Sequence, residues 1–597
     1  MKISKLLFLF LATTSLLMSC GGDDSDSNND ELGDPNELTK VEGGKFKGGI
    51  LRLNSIESYS TLFPPSTNDV YSTHISSLGY EGLFKLNQET LEAEPCIAES
   101  FELDNSKTKY TFKIRSGVMF HDDECFADGK GRAVNAADVK YCLDFVCSNH
   151  EMNKWASLFR NRIVGADDYF TGKSDDVSGI VANGDSELEI NLIDPYSGMN
   201  NLLAILSTAI YPKEAIDKYG YEGMTDRVVG TGSFIPETIK NGEEVVFRRN
   251  PNYWAKDEFG NQLPFLAKVN ISFIKDKSTS LTAFKNEELD MIWGIPVEEI
   301  PNVMGTLDEA LDGKNRQFEV QTVNSLNIQY YGFLFTDEVF GDKNVRLAFN
   351  YAIDRDSLVE FVLEGEGVAA HGGFVPPMSG YPSEKIEGFN YDPAKAKSLM
   401  AKAGYANGNG FPEVTLHMNS SGGTNKKIAD FISQMLKDNL GVTVNIEVQE
   451  MADLFPKVEK GEVNFWRFGW IADYPDPSNF LDLFYGGNYA DVGEATINFF
   501  RYNNPEFDAL YESALKEIDL ETRMNMYAQA DQMIINDAVV MPLMFNIDIR
   551  LINPLVKDFY INEMEYRDLT KVYFIKEDKS NVRVYDNLIE EEESNFE

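Results

Sequence analysis

Two residues of opposite charge, Arg467 and Asp473, lie six positions apart in the segment NFWRFGWIADYPDPSNF, residues 464–480. Phe465, Arg467 and Gly469 alternate there with Trp466, Phe468 and Trp470. This period of two predicts a strand and sets Arg467 within an aromatic surface. A charge sheltered from water requires a partner. Arg467 and Asp473 therefore either pair with groups of the protein or hold the two ends of a dipolar ligand. The bland alternatives are an internal salt bridge for Arg467 and, for Asp473, a strand-end turn in which the carboxylate bonds its own backbone. Trp470, beside Asp473, and Trp293 are large enough to close over a ligand side chain, although single aromatics serve cores as well as sites.

Bond-making chemistry has no comparable signature. The sequence has no P-loop, no GxSxG elbow, no HExxH and no dinucleotide fingerprint after a strand. Its histidines, at 74, 121, 150, 371 and 417, are dispersed. The densest group of possible ligands, His121-Asp122-Asp123-Glu124-Cys125 with Asp128, does not match the spacing of a calcium loop and reads as a solvated insertion. Cys96, Cys125, Cys142 and Cys147 show no metal spacing. Disulfides and buried free thiols both remain open for them, although Cys142 and Cys147 sit five apart on a predicted helix, a poor geometry for a mutual bond. No catalytic residue, metal or cofactor is expected.

The elements that must position these side chains alternate along the chain. Strands are predicted near Gly49–Leu53, Tyr110–Ile114, Leu188–Leu192, Glu244–Arg248, Val269–Ile274, Glu413–Met418 and Val442–Val448. Helices are predicted over Ala136–Cys147, Val345–Ile353, Pro393–Ala403, Asn425–Asn439 and Glu521–Asn536, with Asn135 as a cap and Gly441 as a stop. Mixed α/β lobes follow. With 597 residues, of which 43% are hydrophobic and 12% aromatic, the chain is long enough for more than one core. Its net charge of −42 would repel a phosphate backbone, which argues against nucleic-acid binding.

The beginning of the chain has its own pattern. Lys2 and Lys5 precede an uncharged run from Leu6 to Met18, ending in Leu17-Met18-Ser19-Cys20. This is the layout of a secretory signal over residues 1–19. Cys20 in that context resembles the lipidated cysteine of bacterial lipoproteins. Residues 20–43, rich in Asp, Ser, Asn and Gly, lack the apolar surface to fold and read as an acidic tether.

Several signatures recur in a fixed order: YTFKIRSGVMF (110–120), NAADVKYCLDF (135–145), VVGTGSF (228–234), FRRNPNYW (247–254), KNVRLAFNYAIDRDSLV (343–359), YDPAKAKSLMAKAGY (391–405) and FGWIADYPDPSNFLDLFY (468–485). Together they resemble the solute-binding proteins of ABC importers, in the large branch that holds oligopeptide- and dipeptide-binding proteins. About ten residues, 123–132, stand where the family pattern has a short link, a change to local surface rather than fold. The resemblance implies a large type II-like periplasmic-binding-protein fold of two α/β lobes, with an extra subdomain inserted in the first. The first lobe would comprise 44–74, 195–296 and 539–597, the insert 75–194 and the second lobe 297–538. It also implies that Asp473 holds a peptide amino terminus and Arg467 a carboxylate. The first family loop facing the cleft, Asn54–Phe63, contributes Tyr59. The expected protein is a monomeric, exported carrier, anchored to a bilayer through Cys20. It would capture oligopeptides between its lobes and pass them to permease and ATPase subunits. The same fold with an oligosaccharide or metal chelate as cargo is the alternative. A hydrolase lacks its nucleophile and base, and an adhesin its repeats.

Overall fold

The computed structural model describes residues 34–296, 299, 318–363, 365–419 and 424–576. The signal-like run, Cys20, most of the tether, Val297 and the stretch 577–597 lie outside the described residues.

The first lobe opens with β1 (Ile50–Ser55) and α1 (Val70–Ser76), whose first turn is capped by the Asp69 carboxylate accepting from the Ser72 amide at 2.7 Å. The chain then leaves for β2 (Ala98–Leu103), β3 (Lys109–Ile114), α2 (Ala136–Val146), β4 (Ile180–Asn183) and β5 (Glu187–Asn191). These four strands form an antiparallel sheet in the order β2-β3-β5-β4. At the start of α2, Asn135 and Asp138 form a reciprocal capping box, as the NAAD motif predicts. The chain returns through β6 (Phe234–Lys240), β7 (Glu244–Arg249) and β8 (Lys268–Phe273), with β8 parallel to β1. One continuous cluster of buried side chains runs from Leu51 and Val269 to Phe112 and Leu188, so the strands of 98–191 share a core with the first lobe. In VVGTGSF, a Cβ at Gly230 or Gly232 would meet the main chain of Gly79 at 2.1 or 2.5 Å. Only glycine permits that approach, which makes the motif fold-keeping.

α3 (Lys277–Lys285) and β9 (Met291–Trp293) lead to β10 (Glu319–Phe333) and the second lobe. There follow α4 (Lys343–Tyr351), α5 (Pro393–Lys402), β11 (Val414–Asn419), α6 (Thr424–Leu440), β12 (Val444–Gln449), β13 (Phe465–Ile471), α7 (Pro505–Lys516), α8 (Leu520–Asn536) and β14 (Val540–Ile552). Their sheet has the order β9-β14-β10-β13-β11-β12. Proline at the first turn of α5 and α7 fits the unpaired amides there. The helix expected over Asn425–Asn439 spans Thr424–Leu440 and stops at Gly441, whose φ is 72°.

The long strands β10 and β14 were not anticipated. They pair antiparallel and pass from one core to the other: Ile549 and Leu551 pack with Leu281 and Phe284 of α3, whereas Tyr330 and Val540 belong to the second-lobe core. Their register shifts between Asn324 and Ile328, a bulge at the crossing that gives a bend its place. The boundary expected at Val539 thus falls at the start of a strand shared by both cores.

The four cysteines at 96, 125, 142 and 147 are free thiols, three of them buried. His121 is buried, with Nε2 2.9 Å from the carbonyl oxygen of Gly232, and the inserted loop is tied by Lys130 to Asp122 at 2.7 Å. Among the described residues no cluster of three metal-ligating side chains occurs, and no helix is long and apolar enough to cross a membrane.

Candidate functional site

β13 lies antiparallel to β10, with Gly469 opposite Gln329 and Ile471 opposite Asn327. Opposed residues share a face of a sheet. Arg467, Gly469 and Ile471 therefore join Asn327 and Gln329 on one side, while Trp466, Phe468 and Trp470 turn into the second-lobe core. The first face floors a cavity of about 420 Å³, within the size range of small-ligand pockets. Its opposite wall comes from the first lobe, through Asn54 of β1, Tyr71 and His74 of α1, and Trp293 of β9.

Arg467 is half-buried in this cavity. Its guanidinium donates to Oδ1 of Asn419 at 2.9 Å and to Oε1 of Gln329. Gly469 makes room for the second partner, since a Cβ there would stand 2.8 Å from Nε2 of Gln329. No carboxylate among the described residues forms an ion pair with Arg467, and burial alone lowers its pKa to about 10. The group stays charged at neutral pH and unneutralised. A guanidinium held this way has the chemistry to receive an anion.

Asp473 lies two residues past the end of β13, six residues on from Arg467. Its carboxylate accepts from Nδ2 of Asn479 at 3.1 Å, and its amide donates to Oδ1 of the same residue at 3.0 Å. That oxygen also takes the indole N–H of Trp470 at 3.0 Å, so Asn479 clips the aromatic ring and the acid together. Asp473 is open to water on one side while protein crowds the others. That burial raises its pKa to about 6, against the bond from Asn479. No cation among the described residues forms an ion pair with it. The adjacent Tyr474 is buried in the first-lobe core cluster, and close by Lys516 meets Asp194 at 2.9 Å, so Asp473 sits where the lobes touch.

The residues singled out by sequence divide accordingly. Arg467 and Trp293 line the cavity, and Asp473 stands beyond its rim at Ile471. Trp470 faces away from the cavity, because alternation along β13 turns it to the core, and it touches the site only through Asn479. Tyr59 is not on the wall at all: it is 3% exposed in the first-lobe core, and its hydroxyl donates to Asp226 at 2.7 Å. The loop that contains it presents Asn54, Ser55 and Ile56 to the cavity instead. Sequence reading missed Asn327, Gln329, Asn425 and Asn546, carboxamides that line the cavity from three separate elements. The two-residue spacing of Asn327 and Gln329 between Leu326, Ile328 and Tyr330 was the one local signal available.

The family model described as bacterial extracellular solute-binding proteins, family 5 Middle, matches residues 92–491. The chain belongs to this family. The dipeptide-binding protein DppE of Bacillus subtilis is 28% identical to it over 574 residues, 94% of this chain and 97% of that protein. Heme-binding protein A of Haemophilus influenzae is 29% identical over 497 residues, 82% of this chain and 85% of that protein. Among solved structures, the periplasmic binding protein DppA from Helicobacter pylori, in complex with the peptide STSA, gives a TM-score of 0.74 at 25% identity, covering 89% of this chain and 99% of that one. Family 5 solute-binding proteins bind and do not catalyse, and the two-lobed architecture is their type II periplasmic-binding-protein fold. This chain is thus a solute-binding protein of the peptide and oligopeptide ABC-importer family.

Proposed function

We propose that this solute-binding protein captures oligopeptides between its lobes and delivers them to the permease and ATPase subunits of an importer. The supporting observation is a pair of opposite charges on one strand direction, Arg467 and Asp473, each held by carboxamides and neither ion-paired among the described residues. A zwitterionic peptide supplies both missing partners, its carboxylate to Arg467 and its ammonium to Asp473. The carboxamides of Asn327, Gln329 and Asn425 suit main-chain amides, which a peptide of any sequence presents. An uncharged glycan would leave both charges unanswered. Closure about the bulged β10–β14 crossing couples capture to shape, and the closed form is what a permease would recognise. The Leu-Met-Ser-Cys sequence before Gly21 supports export and anchoring at the cell envelope through a lipid on Cys20, with the chain acting as a monomer.

Native mass spectrometry of the protein purified without refolding tests the cargo. Co-purified peptides of mixed sequence are the expected result. A single sugar, chelate or porphyrin mass would replace the peptide reading.

A further inference from the structure

The cavity has a second charged end. Asp548 of β14, Glu565 from the chain beyond it and Glu366 from the turn after residues 358–362 all line the cavity, with Lys277 and Arg567 as the cations on that side. Arg567 stands 3.8 Å from Glu565, too far for a hydrogen bond. Oδ2 of Asp548 and Nε of Arg567 are buried with no hydrogen-bond partner. Burial and the neighbouring acids push the carboxyls of Asp548 and Glu565 up, and burial against the pull of Lys277 pushes up that of Glu366. His74 contributes no charge: its Nε2 lies 2.9 Å from the carbonyl oxygen of Glu565, and burial holds its pKa well below the ordinary value. Tyr71 and Trp293 complete the surroundings from α1 and β9, and Arg467 faces the space from β13. Elsewhere the first lobe treats a buried acid differently. Glu81 receives the hydroxyls of Tyr253 at 2.6 Å and Thr231 at 2.9 Å, together with the indole N–H of Trp254 at 3.1 Å. The acids of the cavity have less support: one indole, that of Trp293, serves both Asp548 and Glu565, the Ser325 hydroxyl serves Asp548, and Oδ2 of Asp548 is left without a partner, which is costly unless something else brings one.

We propose that this end of the cavity receives a cationic side chain of the bound peptide, a lysine ammonium or an arginine guanidinium, so that the carrier favours peptides containing a basic residue. The inference rests on the peptide reading and sharpens it to a substrate class. The entering cation donates to Asp548 and Glu565, its aliphatic stem lies along Trp293, and near pH 6 the protons those carboxyls still hold depart as it enters.

The full mature chain is to be loaded with a library of tri- to hexapeptides randomised at every position, and the retained peptides sequenced. Lysine and arginine should be enriched about tenfold over the input. The enrichment should vanish in the Asp548→Asn, Glu565→Gln double variant and shrink in Glu366→Gln, while both variants still retain peptides. Because amides replace acids of the same shape, the Tm should hold or rise. Calorimetry of one selected lysine peptide in buffers of different ionisation heat should show proton release that its norleucine counterpart lacks. Peptides retained without basic enrichment, or an enrichment that both variants keep, overturn the proposal and leave the peptide reading standing. Retention of no peptide by the native chain removes that reading and the preference with it.

Discussion

Arg355 and Arg467 are both guanidiniums withdrawn from bulk water, both lowered to about 10 by burial, and both without an ion pair among the described residues. Their partners differ. Arg355, 1% exposed, donates to the main-chain oxygens of Pro542 at 2.6 Å and Asn350 at 3.1 Å, and to the side-chain oxygen of Asn350 at 3.0 Å. Arg346 is caged the same way by the carbonyls of Phe340, Asp537 and Ala538. Carbonyls fixed in the backbone cannot turn aside, so Arg355 staples Pro542 of β14 to the end of α4, and Arg346 staples α4 to the turn that precedes β14. Arg467 is held by two side-chain carboxamides, which rotate, and it opens on a cavity. A buried charge that the backbone satisfies belongs to the fold, and one that only side chains attend is available to a ligand.

Substitutions should separate the two classes. The largest effect is expected on stability at the staple: Arg355→Ala, which leaves several buried carbonyls unpaired, should cost about 3–5 kcal/mol in denaturant unfolding. Arg467→Met should leave the melting temperature unchanged or raise it, and weaken a bound peptide about ten- to a hundredfold by calorimetry. If Arg467→Met unfolds the protein as Arg355→Ala does, the distinction between the two cations is lost. For Asp473 the comparison becomes one of pH. Its carboxyl, raised to about 6 in the empty fold, must ionise to hold an ammonium, so protonation competes with the peptide on the acid side. Affinity should therefore rise about tenfold from pH 5 to 7 and level off above. A flat profile would remove Asp473 from the site. The smallest effect belongs to Tyr59→Phe, which should cost about 1 kcal/mol of stability through the lost bond to Asp226 and leave peptide affinity untouched.

These comparisons also mark what the sequence makes legible. The alternation of residues 465–470 was enough to place Arg467 on one face of a strand, because one local period sets which way a side chain points. The same period puts Trp470 on the other face, and proximity to Asp473 in the chain misled there. Tyr59 failed for a related reason: a loop can be assigned to a cleft while each of its side chains chooses core or solvent by tertiary packing. The helix capped by Asn135 was readable since the cap and its partner Asp138 are three residues apart. Asp548, Glu565 and Glu366 were invisible because they meet only after three distant segments fold together, and the β10–β14 crossing was hidden by a polar interruption at its bulge. Asn479 lay six residues from Asp473, within the same motif, yet its role depends on a turn that returns its carboxamide to the strand end.

The most direct test of the charge clamp is a cycle of two changes. A peptide identified from the native protein is titrated with its amino terminus free and acetylated, against the native chain and against Asp473→Asn. Acetylation should weaken binding to the native chain about ten- to a hundredfold and leave binding to the variant nearly unchanged. Equal losses in both proteins would mean that the ammonium is held elsewhere, and the account of the clamp would be wrong.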